Sequence, residues 1–310
     1  MDAPPASEPV PATTAQGAAV RRPRVWHLYV LVSLAQVLIV LTVVVGAGVI
    51  AAMSGAVNAD MPPAQANAAM MGVFRSPAIV VVGLGASAFI GGLVALLVGW
   101  LSPRPFVQRL RVGRGRLSWP EVTVATVGFV AFSFAFGEIA ESLPGHDRSA
   151  LILLRDLFRN STVVSLPLLV LLVGVAAPVS EELLYRGALQ TRFAERYGPR
   201  IGVVVASVCF AVAHMDPVQS LFALFAGLYL GWICDLAVSC RAALVVHAAN
   251  NLAAALSATW LGDSDEGGSG AIIAAALLVT ATSVWWLRRR VRDRTLTTRA
   301  SSLPSPIAAV

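Results

Sequence analysis

Stretches of about 20 apolar residues recur along the whole chain, and each is long enough to cross a hydrocarbon layer about 30 Å thick as a single helix. They cover roughly 26–52, 78–101, 120–140, 162–182, 200–215, 218–236, 241–260 and 270–287. With 57% hydrophobic and 13% charged residues, the 310-residue chain carries more apolar sequence than one or two soluble cores can bury. Backbone polar groups inside a bilayer must be satisfied within the protein, and helices do this segment by segment. The expected fold is therefore all-α: a polytopic transmembrane helix bundle of about eight helices, with membrane lipids as its solvent.

The charges mark the loops. All 23 basic residues are Arg, and the formal charge is +6. Arg21, Arg22 and Arg24 precede the first run; Arg104, Arg109, Arg111, Arg114 and Arg116 follow the second; Arg192, Arg196 and Arg200 follow the fourth; Arg241 precedes the seventh; Arg288 to Arg290 follow the eighth. Acidic residues such as Asp60, Glu141 and Asp263 fall in the alternate loops. An Arg excess on every second loop predicts both termini in the cytoplasm and an even number of spans. The arginines do not interleave with aromatics as in a nucleic-acid surface, so no nucleic acid is expected as a partner. Between the third and fourth runs, Leu151–Phe158 alternates apolar and charged residues at helical spacing, which predicts an interfacial helix. Exclusive use of Arg, with abundant Ala and Val, points to a GC-rich bacterial genome and hence to a bacterial plasma membrane. The run from Val25 to about Ala52 is too long for a signal-peptide core and suits a first spanning helix. Cys209, Cys234 and Cys240 sit in apolar sequence without metal-type spacing, as small buried residues would.

An ionisable side chain inside a spanning helix costs on the order of 2.5–3.5 kcal/mol, so such residues are rare unless paired or functional. The second half of the chain has several. Glu181, Glu182 and Arg186 stand in A-P-V-S-E-E-L-L-Y-R-G. Glu182 and Arg186 are four apart and share a helical face, which leaves Glu181, rotated by about 100°, to point elsewhere. Phe210 and His214 are four apart in the next run, and His247 and Asn251 are four apart in a later one. A helical ion pair or a lone packed histidine has a bland structural reading. The same residues also supply the parts of peptide hydrolysis: a carboxylate near a histidine to deprotonate and orient water, and His with Asn to donate to an oxyanion.

The three spaced motifs E-E-x-x-x-R, F-x-x-x-H and H-x-x-x-N, here Glu181, Glu182 and Arg186, then Phe210 and His214, then His247 and Asn251, resemble those of the CAAX prenyl protease and bacteriocin-processing family of intramembrane proteases. The likeness covers roughly residues 160–260. It implies an endopeptidase in which Glu181 activates water with help from His214, His247 and Asn251 form the oxyanion site, and Glu182, Arg186 and Phe210 support the geometry. The favoured reading uses no metal or other cofactor. A divalent metal such as Zn2+ on Glu181, His214 and His247 is the alternative, although no H-E-x-x-H helix is present. A hydrophobic or lipidated peptide, CAAX-type or bacteriocin-like, is the expected substrate partner.

The organisation that follows is a disordered tail at 1–24, spanning helices at 25–150, catalytic helices at 151–265, a last spanning helix at 266–290 and a second disordered tail at 291–310. Two other functions fit part of this pattern: a catalytically idle relative serving as an immunity or scaffold protein, and a small-solute transporter, which lacks support from any internal repeat. One mismatch stands out. A straight fifth helix from Pro199 puts His214 about 22 Å deep, whereas His247 is about 9 Å beyond Arg241.

Overall fold

The computed structural model describes residues 25–58, 60–260 and 270–301. Its principal helices are α1 (Trp26–Ser54), α2 (Pro63–Phe74), α3 (Pro77–Trp100), the single turn α4 (Phe106–Arg109), α5 (Trp119–Ala140), α6 (Ala150–Arg159), α7 (Ser165–Tyr197), α8 (Pro199–Ala213), α9 (Pro217–Ala237), α10 (Cys240–Trp260) and α11 (Gly270–Ser301). Among the described residues there is no strand. Seven helices, α1, α3, α5, α7, α9, α10 and α11, are long and apolar enough to span a bilayer. The eighth predicted span is the shorter α8. The protein is a polytopic helical membrane protein.

Two boundaries differ from the sequence reading. The fourth run does not stop near residue 182 but continues as one 33-residue helix to Tyr197. Its charged residues pair inside the bundle, so their loss of hydropathy marks a buried site rather than a helix end. At the other end of the chain, α11 runs on to Ser301, so residues 291–301, read as part of a disordered tail, are helical. The predicted tail at 1–24 and residues 302–310 lie outside the described residues. The amphipathic segment predicted at 151–158 is α6.

Half of the apolar window of α7 is buried, the largest share among the seven long helices, which makes α7 the axis of the bundle. Helices α3, α8 and α10 surround it. Small residues let α3 approach closely: a Cβ on Gly92 would lie 3.6 Å from the Ser180 Cβ, the kind of contact that holds helices together where lipid removes the hydrophobic drive. Helix α1 packs on α3, while α5 is covered by α11 and meets α9 and α10. An aromatic stack of Phe129, Phe132, Phe136, Phe222 and Tyr229 fills the α5–α9 seam.

Helix caps and crosslinks fix the ends. Glu121 accepts from the Ser118 backbone N–H (2.8 Å) and hydroxyl (2.7 Å) at the start of α5, and pairs with Arg294 of α11. Asp216 caps α9 through the Gln219 N–H (2.7 Å) and also receives the Ser149 hydroxyl (2.9 Å), tying α6 to the same level. At the opposite end the α3–α5 connection threads beneath the α9–α10 turn. Its Arg111 carbonyl accepts from the Cys240 N–H at 2.9 Å, and its Arg111 guanidinium meets Asp235 at 2.6 Å. Glu195 of α7 gathers Arg104, Arg109 and Arg192 there. Burial pushes the Arg109 guanidinium down from its ordinary range, and Glu195 opposes the shift.

The same connection passes against α7 at Gly187, where an added Cβ would lie 2.8 Å from the Leu110 carbonyl oxygen. That neighbour is backbone and cannot swing away. Gly187→Ala is expected to destabilise the protein by about 1–3 kcal/mol, read as a lower melting temperature in detergent, whereas Gly137→Ala, with open space around it, should leave the melting temperature unchanged or slightly raised.

Candidate active site

Seen at full length, α7 brings Glu181 to the depth of His214, and the contacts of His247 with both glutamates mean that the α7–α8 turn lies further from the site than the start of α10 does. Tyr197 and Pro199 flank a turn at Gly198. Glu181 lies 16 residues back along α7 and His214 lies 15 residues on, just past the end of α8, so at 1.5 Å per residue both stand about 22–24 Å above that turn. Helix α8 is shortened because the chain leaves it at His214 and enters α9 through Met215, whose φ of 53° is left-handed, and the capping Asp216.

The helix carrying the glutamates is not a regular α-helix. Two stretches, Leu172–Ala176 and Glu182–Gln190, form π turns, which widen the helix and are frequent at functional sites. The second carries Glu182 and Arg186, both essentially inaccessible. Arg186 Nη1 donates to Glu182 Oε1 at 2.8 Å, and its guanidinium lies 4.5 Å above the centre of the Phe210 ring. His247 Nδ1 stands 2.9 Å from the same Glu182 oxygen. An ionised carboxylate only accepts, so Nδ1 carries the proton and donates. The ring is thereby turned so that Nε2 faces Glu181, 3.7 Å from its Oε2. Arg186, Glu182, His247 and Glu181 form one continuous polar line across two helices.

His214 is oriented in the same sense. Its Nδ1 is 2.8 Å from the Phe210 carbonyl oxygen, again an acceptor only, so the second histidine also presents Nε2. The Phe210 ring stands between the two imidazoles, edge-on to His214 at 4.8 Å and to His247 at 6.2 Å. Glu181 and His214 line one cavity of about 160 Å³. Asn251 donates from Nδ2 to the Val173 carbonyl at 2.9 Å, on the first π stretch; the amide keeps a second hydrogen to give.

The structure thus brings Glu181, Glu182, Arg186, Phe210 and His247 into direct contact, places His214 on the Glu181 cavity and ties Asn251 to α7. It differs from expectation in one pairing, since the imidazole recorded beside Glu181 is His247. For a metal, Nδ1–H bonds that leave Nε2 outward are the usual orientation of ligating histidines. Among the described residues, however, no group of three or more His, Cys, Asp or Glu side chains comes together as a metal site, the trio Glu181, His214 and His247 included.

No motif in the sequence gives the first half of the chain a role, yet α1 and α3 form one wall of the cavity through Gln36, Ile39, Ser87 and Gly91. Gln36 donates to the Tyr185 hydroxyl at 2.9 Å. A signal for it existed: an amide in the middle of an otherwise apolar run is costly unless it has a partner.

Residues 163–253 match the family model described as type II CAAX prenyl endopeptidase Rce1-like. Over this segment the chain is similar to that family. The matched segment contains every motif residue of the site, from Glu181 to Asn251, and leaves out α1, α3 and α5. No curated protein and no solved structure matches the chain.

Proposed function

We propose that the protein is an intramembrane endopeptidase that hydrolyses a peptide bond of a hydrophobic or lipidated, membrane-associated peptide with Glu181-activated water. The observation that carries the reading is the buried Arg186–Glu182–His247 relay, which holds an imidazole against a second carboxylate inside otherwise apolar helices. The similarity of residues 163–253 to type II CAAX prenyl endopeptidases supports the reaction class.

In this mechanism the Glu181 carboxylate takes a proton from water as the water oxygen bonds to the scissile carbonyl carbon, with His214 Nε2 orienting the nucleophile. The carbonyl becomes a tetrahedral oxyanion. In this role His247 donates an Nε2 proton to that oxygen while Nδ1 stays against Glu182, and the second Asn251 hydrogen assists. Glu181 then returns its proton to the leaving nitrogen as the C–N bond breaks. Arg186 holds Glu182 in place, and Phe210 keeps the two rings apart. No step uses a metal. The Arg-rich alternate loops favour both termini in the cytoplasm, and the exclusive use of Arg with abundant Ala and Val favours a bacterial plasma membrane.

The detergent-purified protein should cut a prenylated C-terminal peptide at a single position, identified by mass spectrometry of the fragments, at a rate unchanged by a strong chelator. Loss of cleavage on chelation, restored by Zn2+, would replace the glutamate mechanism with the metal alternative. Absence of cleavage across prenylated and bacteriocin-like peptides would count against the protease reading and for an idle relative.

A further inference from the structure

A second cavity is larger than the Glu181 cavity. It measures about 580 Å³, lies between α3, α6 and α7, and shares no lining residue with the first. Its volume is within the roughly 300–1,000 Å³ of small-molecule sites. Val80, Val81, Leu157 and Leu168 make an apolar floor, while Arg75 and Asp156 stand on its polar margin. Both charged side chains are exposed, and neither forms an ion pair among the described residues. Arg75 lies two residues before α3, Asp156 is in the last turns of α6, and Ser165, which also lines the cavity, is the first residue of α7. The polar margin therefore lies where the helices leave the apolar layer, and the floor lies inside it.

From this arrangement we infer that the cavity is a binding site for a zwitterionic phospholipid with a primary amine in its headgroup. One acyl chain occupies the floor. The Arg75 guanidinium takes the phosphate through charge-assisted hydrogen bonds, and the Asp156 carboxylate takes the ammonium. A choline headgroup offers Asp156 a charge but no N–H, and an anionic headgroup without an amine sets its own charge against Asp156. The proposal is independent of the proteolytic reading.

Native mass spectrometry of the detergent-purified full chain tests it, with phosphatidylethanolamine, phosphatidylcholine and phosphatidylglycerol of identical acyl chains, and chain-free glycerophosphoethanolamine. Phosphatidylethanolamine should be retained about tenfold more tightly than the other two lipids, and glycerophosphoethanolamine should not be retained. Arg75→Gln should lower that retention by about tenfold, and Asp156→Asn should erase the preference over phosphatidylcholine. Because both positions are exposed, an unchanged melting temperature will show that each variant is folded. Equal retention of the three lipids, a preference for phosphatidylglycerol, retention of the chain-free compound, or indifference to both substitutions would overturn the assignment.

Discussion

His247→Ala is expected to lower kcat for peptide cleavage by about 10²–10⁴-fold, the usual worth of a positioned acid–base or oxyanion group. Both sides of the ring are engaged. Nδ1 is held by Glu182 at 2.9 Å, and Nε2 is the atom turned toward Glu181. Removing the ring takes away the group opposite the carboxylate and leaves Glu182 with Arg186 as its remaining partner. The loss should fall on kcat more than on KM, because a donor to the developing oxyanion acts in the transition state rather than on bound substrate. Substituting His27, which no structural observation connects to the site, should leave turnover unchanged. Steady-state kinetics on the same lipidated peptide gives the comparison.

Arg186→Met should produce the largest loss of stability, about 3–5 kcal/mol, because it removes the cation from the Glu182 carboxylate and leaves it only His247 in a site with no access to solvent. The change also removes the cation above the Phe210 ring. Glu182→Gln should cost stability for the reciprocal reason. The double variant Glu182→Gln/Arg186→Met should lose less than the sum of the two, since no buried charge is left alone. Thermal unfolding of the four proteins in one detergent measures this coupling. Strict additivity would show that the pair contributes nothing as a pair.

The spans were legible because a bilayer imposes one simple length on every crossing helix, and the motif residues were legible because ionisable groups are rare in such helices. What escaped has identifiable physical causes. The length of α7 was hidden because Glu182, Arg186 and Gln190 lower its hydropathy while lying buried against partners. Which imidazole meets Glu181 was hidden because the pairing with His214 rested on the resemblance, whereas the contact with His247 is set by how α10 packs against α7, which no spacing within one helix names. The partner of Asn251 is a main-chain carbonyl, which no sequence pattern names. Gln36 reaches Tyr185 across 149 residues of chain, and a lone amide says that a partner exists without saying where.

The most direct test of the account is a paired assay of wild type and Glu181→Gln on one membrane-tethered reporter peptide. Glu181 is about a fifth exposed, and its recorded polar neighbour is His247 at 3.7 Å, so its isosteric replacement should leave the melting temperature unchanged. The account predicts a wild-type protein that cleaves and a folded Glu181→Gln protein slower by about 10³-fold or more. Cleavage by Glu181→Gln at the wild-type rate would contradict it, because the water would then be activated by some other group.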